Sequence, residues 1–374
     1  MKRGVAVLAI LFLTVTGWLV ATPGGRQWRL QRTSVADLTL LAAAQPQDTA
    51  VAEALTAKLI REAKFEDAAT IYAAWATALP AASLPLQKQG EALIRANRFS
   101  DAVPILESAF QRDSTNVEAL AQLGYAHFLA GEGTQAEEKA DNALSIQPNS
   151  VSANAVKAFV LAERHQFASA KASLQKADAT QLSTTLYASA KGYVADKEGD
   201  TTPAALAFLE AVRYDENNGQ AWMWLAGVQI RTANTPEAFA KASEWLQKAA
   251  ALLPHASIVP YSYGLLAFKQ GDYPAAAVQF QNALNLNPNS TETLYQLSLA
   301  LELAGRKAEG TSVRKRFETM SAYQRDINNL QIQIGHDAKN ILLWKKMLRM
   351  AQANEDRERI QLAQDRISKL SLNP

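Results

Sequence analysis

The side chains able to act in catalysis are few and scattered. The chain holds four histidines, His127, His165, His255 and His336, and no cysteine. Zinc hydrolysis needs two histidines one helical turn apart with a glutamate between them, and no pair here has that spacing. Without a thiol there is no thiolate ligand, no cysteine nucleophile and no disulfide. Gly131-Glu132-Gly133 comes nearest to a phosphate-cradling loop, but no Gly-Lys-Ser/Thr follows it. Adjacent acids such as Glu137 and Glu138 could act as general acid and base only in a buried pocket, which nothing around them implies. No Gly-x-Ser-x-Gly elbow presents a serine. The reading is of a non-enzyme: no catalytic, cofactor-binding or metal-binding residues, and no small-molecule substrate.

Net charge is +2, unevenly spread. The first 34 residues carry Lys2, Arg3, Arg26, Arg29 and Arg32 and no acid, which leaves the remainder slightly acidic. Such a body lacks the basic stripe that neutralises phosphates, so nucleic acid is excluded as a partner.

The elements that must position any functional surface begin with an uncharged, mostly apolar run from Val5 to Ala21. As a helix it spans about 25 Å against a hydrocarbon core of about 30 Å, and Gly4 and Thr22 extend it. The run exceeds a signal-peptide core of about 7–15 residues, and Trp18 suits a membrane interface. A single-pass anchor is expected, with membrane as a partner through this segment; Leu19-Val20-Ala21 leaves a cleaved signal as the alternative. A short basic amino terminus stays cytoplasmic, which places the body outside the cytoplasm, anchored, or periplasmic or secreted if cleaved.

Internal repetition dominates the rest. From Val117 the chain shows Leu120, Leu123, Gly124, His127, Ala136, Ala140, Ala143 and Pro148. From Ser257 it shows Pro260, Tyr263, Gly264, Ala267, Ala276, Phe280, Ala283 and Pro288, every one 140 residues on, which is four units of 34 plus four. The same grid starts at Thr49, Ser83, Val151 and Thr185, and again at Gly219, where four residues are inserted around Arg231–Lys241. Apolar residues at three- and four-residue steps give each helix one buried stripe, and Gly or Ala at fixed positions lets two helices approach closely. Turns such as Asn97-Arg98-Phe99 and Gly271-Asp272-Tyr273 separate the helices, and Pro80, Pro148, Pro254 and Pro288 follow the second. On this grid His127 is a packing residue and His165 a turn residue, both structural.

These residues resemble the tetratricopeptide repeat, a helix–turn–helix unit of 34 residues. The resemblance covers Thr49 to Phe317 and implies an all-α, right-handed superhelical solenoid of about eight units. Four segments follow: 1–25 the anchor or signal, 26–48 a linker and amino-terminal capping helix, 49–317 the array, and 318–374 a carboxy-terminal helical cap with a degenerate pair. Ser34–Gln45 reads as the capping helix, with Ser34 and Asp37 as a capping box. In the last full unit Gly310 and Arg314 replace the usual Ala and large apolar residue; Met320–Ile334 then reads as a separate longer helix.

In this family the first helix of each pair lines a concave groove, one position past the packing residues. The resemblance therefore implies a protein-binding lane of Tyr125, Phe128, Phe159, Tyr193, Met223, Ile230, Tyr261, Leu265, Phe268 and Tyr295, continued by Leu299. The rings could equally close gaps between neighbouring pairs. An open lane suits an amphipathic helix or an extended apolar peptide, centred on Phe159 to Phe268. It has almost none of the Lys, Arg and Asn with which some relatives clamp a carboxylate. The implied function is a membrane-tethered scaffold or assembly factor for protein or peptide partners. Alternatives are a periplasmic or secreted holdase for client proteins, and the regulatory or substrate-binding arm of an enzyme complex.

Overall fold

The computed structural model describes residues 22–178, 180–354 and 356–372. The expected apolar anchor lies outside them; among the described residues no helix is long and apolar enough to cross a membrane. Every regular element among the described residues is an α-helix, twenty in all. Two short helices lead, α1 (Pro23–Arg32) and α2 (Val35–Ala44). Six antiparallel pairs follow: α3 (Thr49–Arg61) and α4 (Phe65–Ala78), α5 (Leu84–Arg95) and α6 (Phe99–Arg112), α7 (Val117–Leu129) and α8 (Gly133–Ile146), α9 (Val151–Glu163) and α10 (Phe167–Gln175), α11 (Thr185–Glu198) and α12 (Thr201–Tyr214), α13 (Gly219–Thr232) and α14 (Pro236–Leu252). Then come α15 (Ile258–Lys269) and α16 (Tyr273–Leu286), α17 (Thr291–Leu303) and α18 (Lys307–His336), α19 (Ile341–Ala353) and α20 (Arg357–Leu372). The chain divides into two compact units, residues 1–254 and 255–374.

The repeat phase is written in local chemistry. A polar side chain caps most first helices: the Ala119 amide donates to Asn116 Oδ1 at 2.9 Å, and the Ala221 amide to Asn218 Oδ1 at 2.8 Å. Each satisfies one of the donors a helix start leaves open. Asn116 Nδ2 also donates to Ser83 Oγ at 3.0 Å, and that hydroxyl donates to the Ala109 carbonyl at 2.8 Å, so the cap stitches one pair to the next. Between helices of a pair, one residue turns left-handed: Ala63, Asn97, Gly131, His165, Gly199, Gly271 and Gly305. The pair α13–α14 has no such residue and absorbs the four-residue insertion instead, α13 being 14 and α14 17 residues long against 13 and 14 for α7 and α8. Pro80, Pro148, Pro254 and Pro288 each fall two residues beyond their helix. The small positions work as the grid requires: a Cβ at Gly192 would meet Phe208 at 2.7 Å, and one at Gly264 would meet Phe280 at 2.6 Å.

Two features differ from the sequence reading. The separate helix over Met320–Ile334 does not exist; α18 runs unbroken for 30 residues and crosses the boundary placed after residue 317. No glycine or proline stands between Thr311 and Ile334 to stop it. The first unit is also not an open shelf. Stacked repeats ordinarily touch only their neighbours, yet here the ends of α3 and α5 meet the connection between α12 and α13. Asn217 Nδ2 donates to the Ile60 and Arg61 carbonyls, both at 3.1 Å, and Arg95 pairs with Asp215 at 2.7 Å. The coil of the first unit closes on itself after five pairs.

Candidate functional site

The lane residues divide between the two units and have different fates. In the first unit the first helices α7, α9 and α11 pack side by side, and the rings they carry converge. Phe159 lies 4.8 Å from Phe128, 5.6 Å from Tyr125, 5.2 Å from Tyr193 and 5.4 Å from Trp224, measured between centroids. Stacked, tilted and edge-on contacts at these separations are favourable aromatic arrangements. Phe159 is 0% exposed; Tyr193, Met223 and Ile230 are buried, and Tyr125 and Phe128 half-buried. Of the lane expected from Tyr125 to Ile230, Phe159, Tyr193, Met223 and Ile230 are enclosed and Tyr125 and Phe128 partly so, because adjacent first helices stand close enough for the rings to fill much of the space between them.

Trp224 completes this cluster and is absent from the expected lane. On α13 the position matching Phe159 and Tyr193 is Gly227, which carries no side chain; Trp224, about one turn earlier, reaches Phe159, Tyr193 and Phe208 instead. The glycine at a ring position was the signal that could have found it.

The polar edge of the cluster is built around Glu163. Its carboxylate accepts from the Tyr193 hydroxyl and from Lys197 Nζ at 2.8 Å, and the Lys197 ammonium stands 5.2 Å from the Tyr193 ring centre. Burial works against the Glu163 charge, but the Lys197 and Tyr193 donors outweigh it and hold the carboxyl below the usual glutamate value. Burial first, and then the carboxylate beside it, push the Tyr193 hydroxyl well above the ordinary tyrosine value. A cavity of about 540 Å³ opens beside the cluster, lined by Phe128, Val160, Glu163, Tyr193, Gln220 and Trp224 among others.

In the second unit the lane is more open. Tyr261 is buried, its hydroxyl donating to Glu292 Oε1 at 2.7 Å and so tying α15 to α17. Burial, then Glu292, raises its pKa far above the usual tyrosine value. Leu265, Phe268 and Leu299 are half-buried, and Tyr295 is 41% exposed. The Tyr295 ring rests 5.6 Å from Phe317 and 5.8 Å from the Arg314 guanidinium, both on α18. Tyr295 thus presents an exposed ring with an arginine beside it.

His127 and His165 take the places the repeat grid assigns them. His127 is buried on its packing position and its Nδ1 meets Glu132 Oε2 at 2.5 Å. His165 forms the left-handed turn, its ring edge-on to Phe167.

Models of the tetratricopeptide repeat match residues 93–139, 189–256 and 261–310. The chain carries tetratricopeptide repeats. Among solved structures it is similar to a chain in the crystal structure of the APC/C hetero-tetramer Cut9–Hcn1, at 17% identity and a TM-score of 0.49, over 71% of this chain and 52% of that one. It is also similar to a tetratricopeptide repeat protein from Parabacteroides merdae, at 14% identity and a TM-score of 0.42, over 66% of this chain and 96% of that one. The chain thus spans about half the length of the Cut9–Hcn1 chain it matches. No curated protein sequence matches it. Repeats of this kind stack into extended surfaces that suit the binding of other proteins.

Proposed function

We propose that this tetratricopeptide-repeat chain is a membrane-tethered scaffold or assembly factor that holds the apolar face of a partner helix or peptide on its second unit. One observation carries the reading: of the apolar lane on the first helices, only the second-unit part holds a solvent-facing aromatic, Tyr295, along with the half-buried Leu265, Phe268 and Leu299. A lane of this kind recognises side chains at helical spacing, with aromatic anchors contributing most of the affinity. Residues 5–21 supply the tether and keep the repeats on the extracytoplasmic side.

The test is crosslinking in cells with the full chain, followed by quantification of the discrete partners recovered. Replacing Phe268 and Tyr295 together with alanine lowers recovery by about 10-fold, the effect of losing roughly 1.4 kcal/mol. Unchanged recovery removes the second-unit site. The tether is tested separately: the full-length chain stays with membranes after an alkaline wash, whereas release of a shortened chain supports a soluble client holder instead.

A further inference from the structure

The closure of the first unit is made by few groups, and they sit where they control one wall of the aromatic cavity. Asn217 spans to the last carbonyls of α3, one of which, on Arg61, belongs to the set a helix end leaves without an internal donor. Arg95, at the end of α5, places its guanidinium 4.6 Å from the centre of the buried Phe65 ring while its Nη2 reaches Asp215. The side chains of this pair are 19% and 26% exposed, dry enough for the attraction to exceed that of a surface pair. Asp215 is held ready by its own turn, its other carboxylate oxygen accepting from the Asn217 amide at 3.1 Å. These contacts join residues 120 to 157 positions apart.

The connection held in this way leads directly into α13, which contributes Gln220 and Trp224 to the cavity wall. We infer that Arg95, Asp215 and Asn217 form a polar latch that keeps the coil of the first unit shut, and that its release frees the start of α13 and opens the ring cluster around Phe159. The cluster itself is held by many apolar contacts, whereas the latch is one ion pair, one stacked guanidinium and one amide. The weak point of the closed coil is therefore at the latch, and local opening follows the weakest set of contacts. The inference does not depend on which partner the second unit holds.

Hydrogen exchange on the full chain tests it, with Arg95→Met and Asn217→Ala made singly and together. Methionine keeps an unbranched apolar side chain over Phe65 and removes the charge. The double variant exchanges amides 216–224 about 10-fold faster while those of α8 and α9 stay as they were. Acrylamide quenching of Trp224, isolated by comparison with Trp224→Phe, rises in parallel. When salt is raised from about 0.05 to about 1 M the unmodified chain shifts toward the exchange rate of the single Arg95→Met variant, because only the ion pair is screened, and Arg95→Met itself does not respond. Unchanged exchange in the variants overturns the latch; so does uniform acceleration across the first unit, which makes these residues a general structural support. Loss of folding in the double variant leaves the salt comparison on the unmodified chain to decide.

Discussion

At the scale of single residues the molecule is governed by size. Gly192 faces Phe208, which is 0% exposed and packed against the Trp224 ring at 5.7 Å, so it has no free volume to yield into. The same position holds Gly264 against Phe280, but Ala158 and Ala226 in the units whose matching second-helix residue is Leu174 or Leu246. In these four units glycine faces phenylalanine and alanine faces leucine, while Gly90 against Leu106 shows that leucine too can fill the glycine's space, a Cβ there meeting it at 2.4 Å. Gly192→Ala is expected to lower stability by about 1–3 kcal/mol, the range for overpacking a filled interior. Chemical denaturation reads the loss. Making Phe208→Leu in the same chain recovers part of it, a coupling between touching residues that a double-mutant cycle measures directly. Additive effects of the two changes contradict the packing explanation.

At the scale of the element, the turn between paired helices sets the phase. A left-handed residue recurs at 34-residue intervals from Ala63 to Gly199, with φ of 56° at Ala63, 57° at His165 and 81° at Gly131. An L side chain there costs roughly 1–2 kcal/mol, offset in glycine by greater chain entropy in the unfolded state. Ala63→Gly is therefore expected to be neutral to stabilising by up to about 1 kcal/mol, and Gly131→Ala to be destabilising by about 1 kcal/mol. A Cβ on Gly131 would have nothing within 4 Å, so the second change isolates the backbone contribution. A urea midpoint lowered by Ala63→Gly, or raised by Gly131→Ala, would show that something other than backbone conformation fixes these turns. This level of the structure was legible in the amino acids because its determinants are local. Asn116 caps three residues ahead, Gly131 turns where it stands, and Pro148 ends the helix just before it. The length of α18 was misread for the converse reason. Gly310 and Arg314 break the family pattern without breaking a helix, and the breaker needed for two separate helices is missing.

At the scale of the whole molecule, what a residue does depends on how far its part of the stack curls, and no short motif encodes that. Small rotations accumulate from pair to pair, so the meeting of Asn217 with Arg61 could not be seen in either segment: Asp215-x-Asn217 reads as an ordinary turn. The same accumulation decides whether an aromatic on a first helix is core or surface. Phe159 and Leu299 occupy corresponding places on the repeat grid, yet one is fully enclosed and the other half-buried, and Tyr295, one turn before Leu299, is 41% exposed. Substitution of Phe159 and of Tyr295 must then separate two properties. Phe159→Ala removes a ring held by four others and is expected to cost about 3–5 kcal/mol of stability in the first unit, while partner recovery by the folded fraction stays level. Tyr295→Ala, at a half-open surface, is expected to leave the melting temperature within about 2 °C, a change of under roughly 0.5 kcal/mol, and to reduce partner recovery. Melting and crosslinking of both variants, side by side, check the division. If Phe159→Ala abolishes recovery in chains that remain folded, the first unit opens to receive the partner, and the binding surface extends along the ring cluster behind the latch.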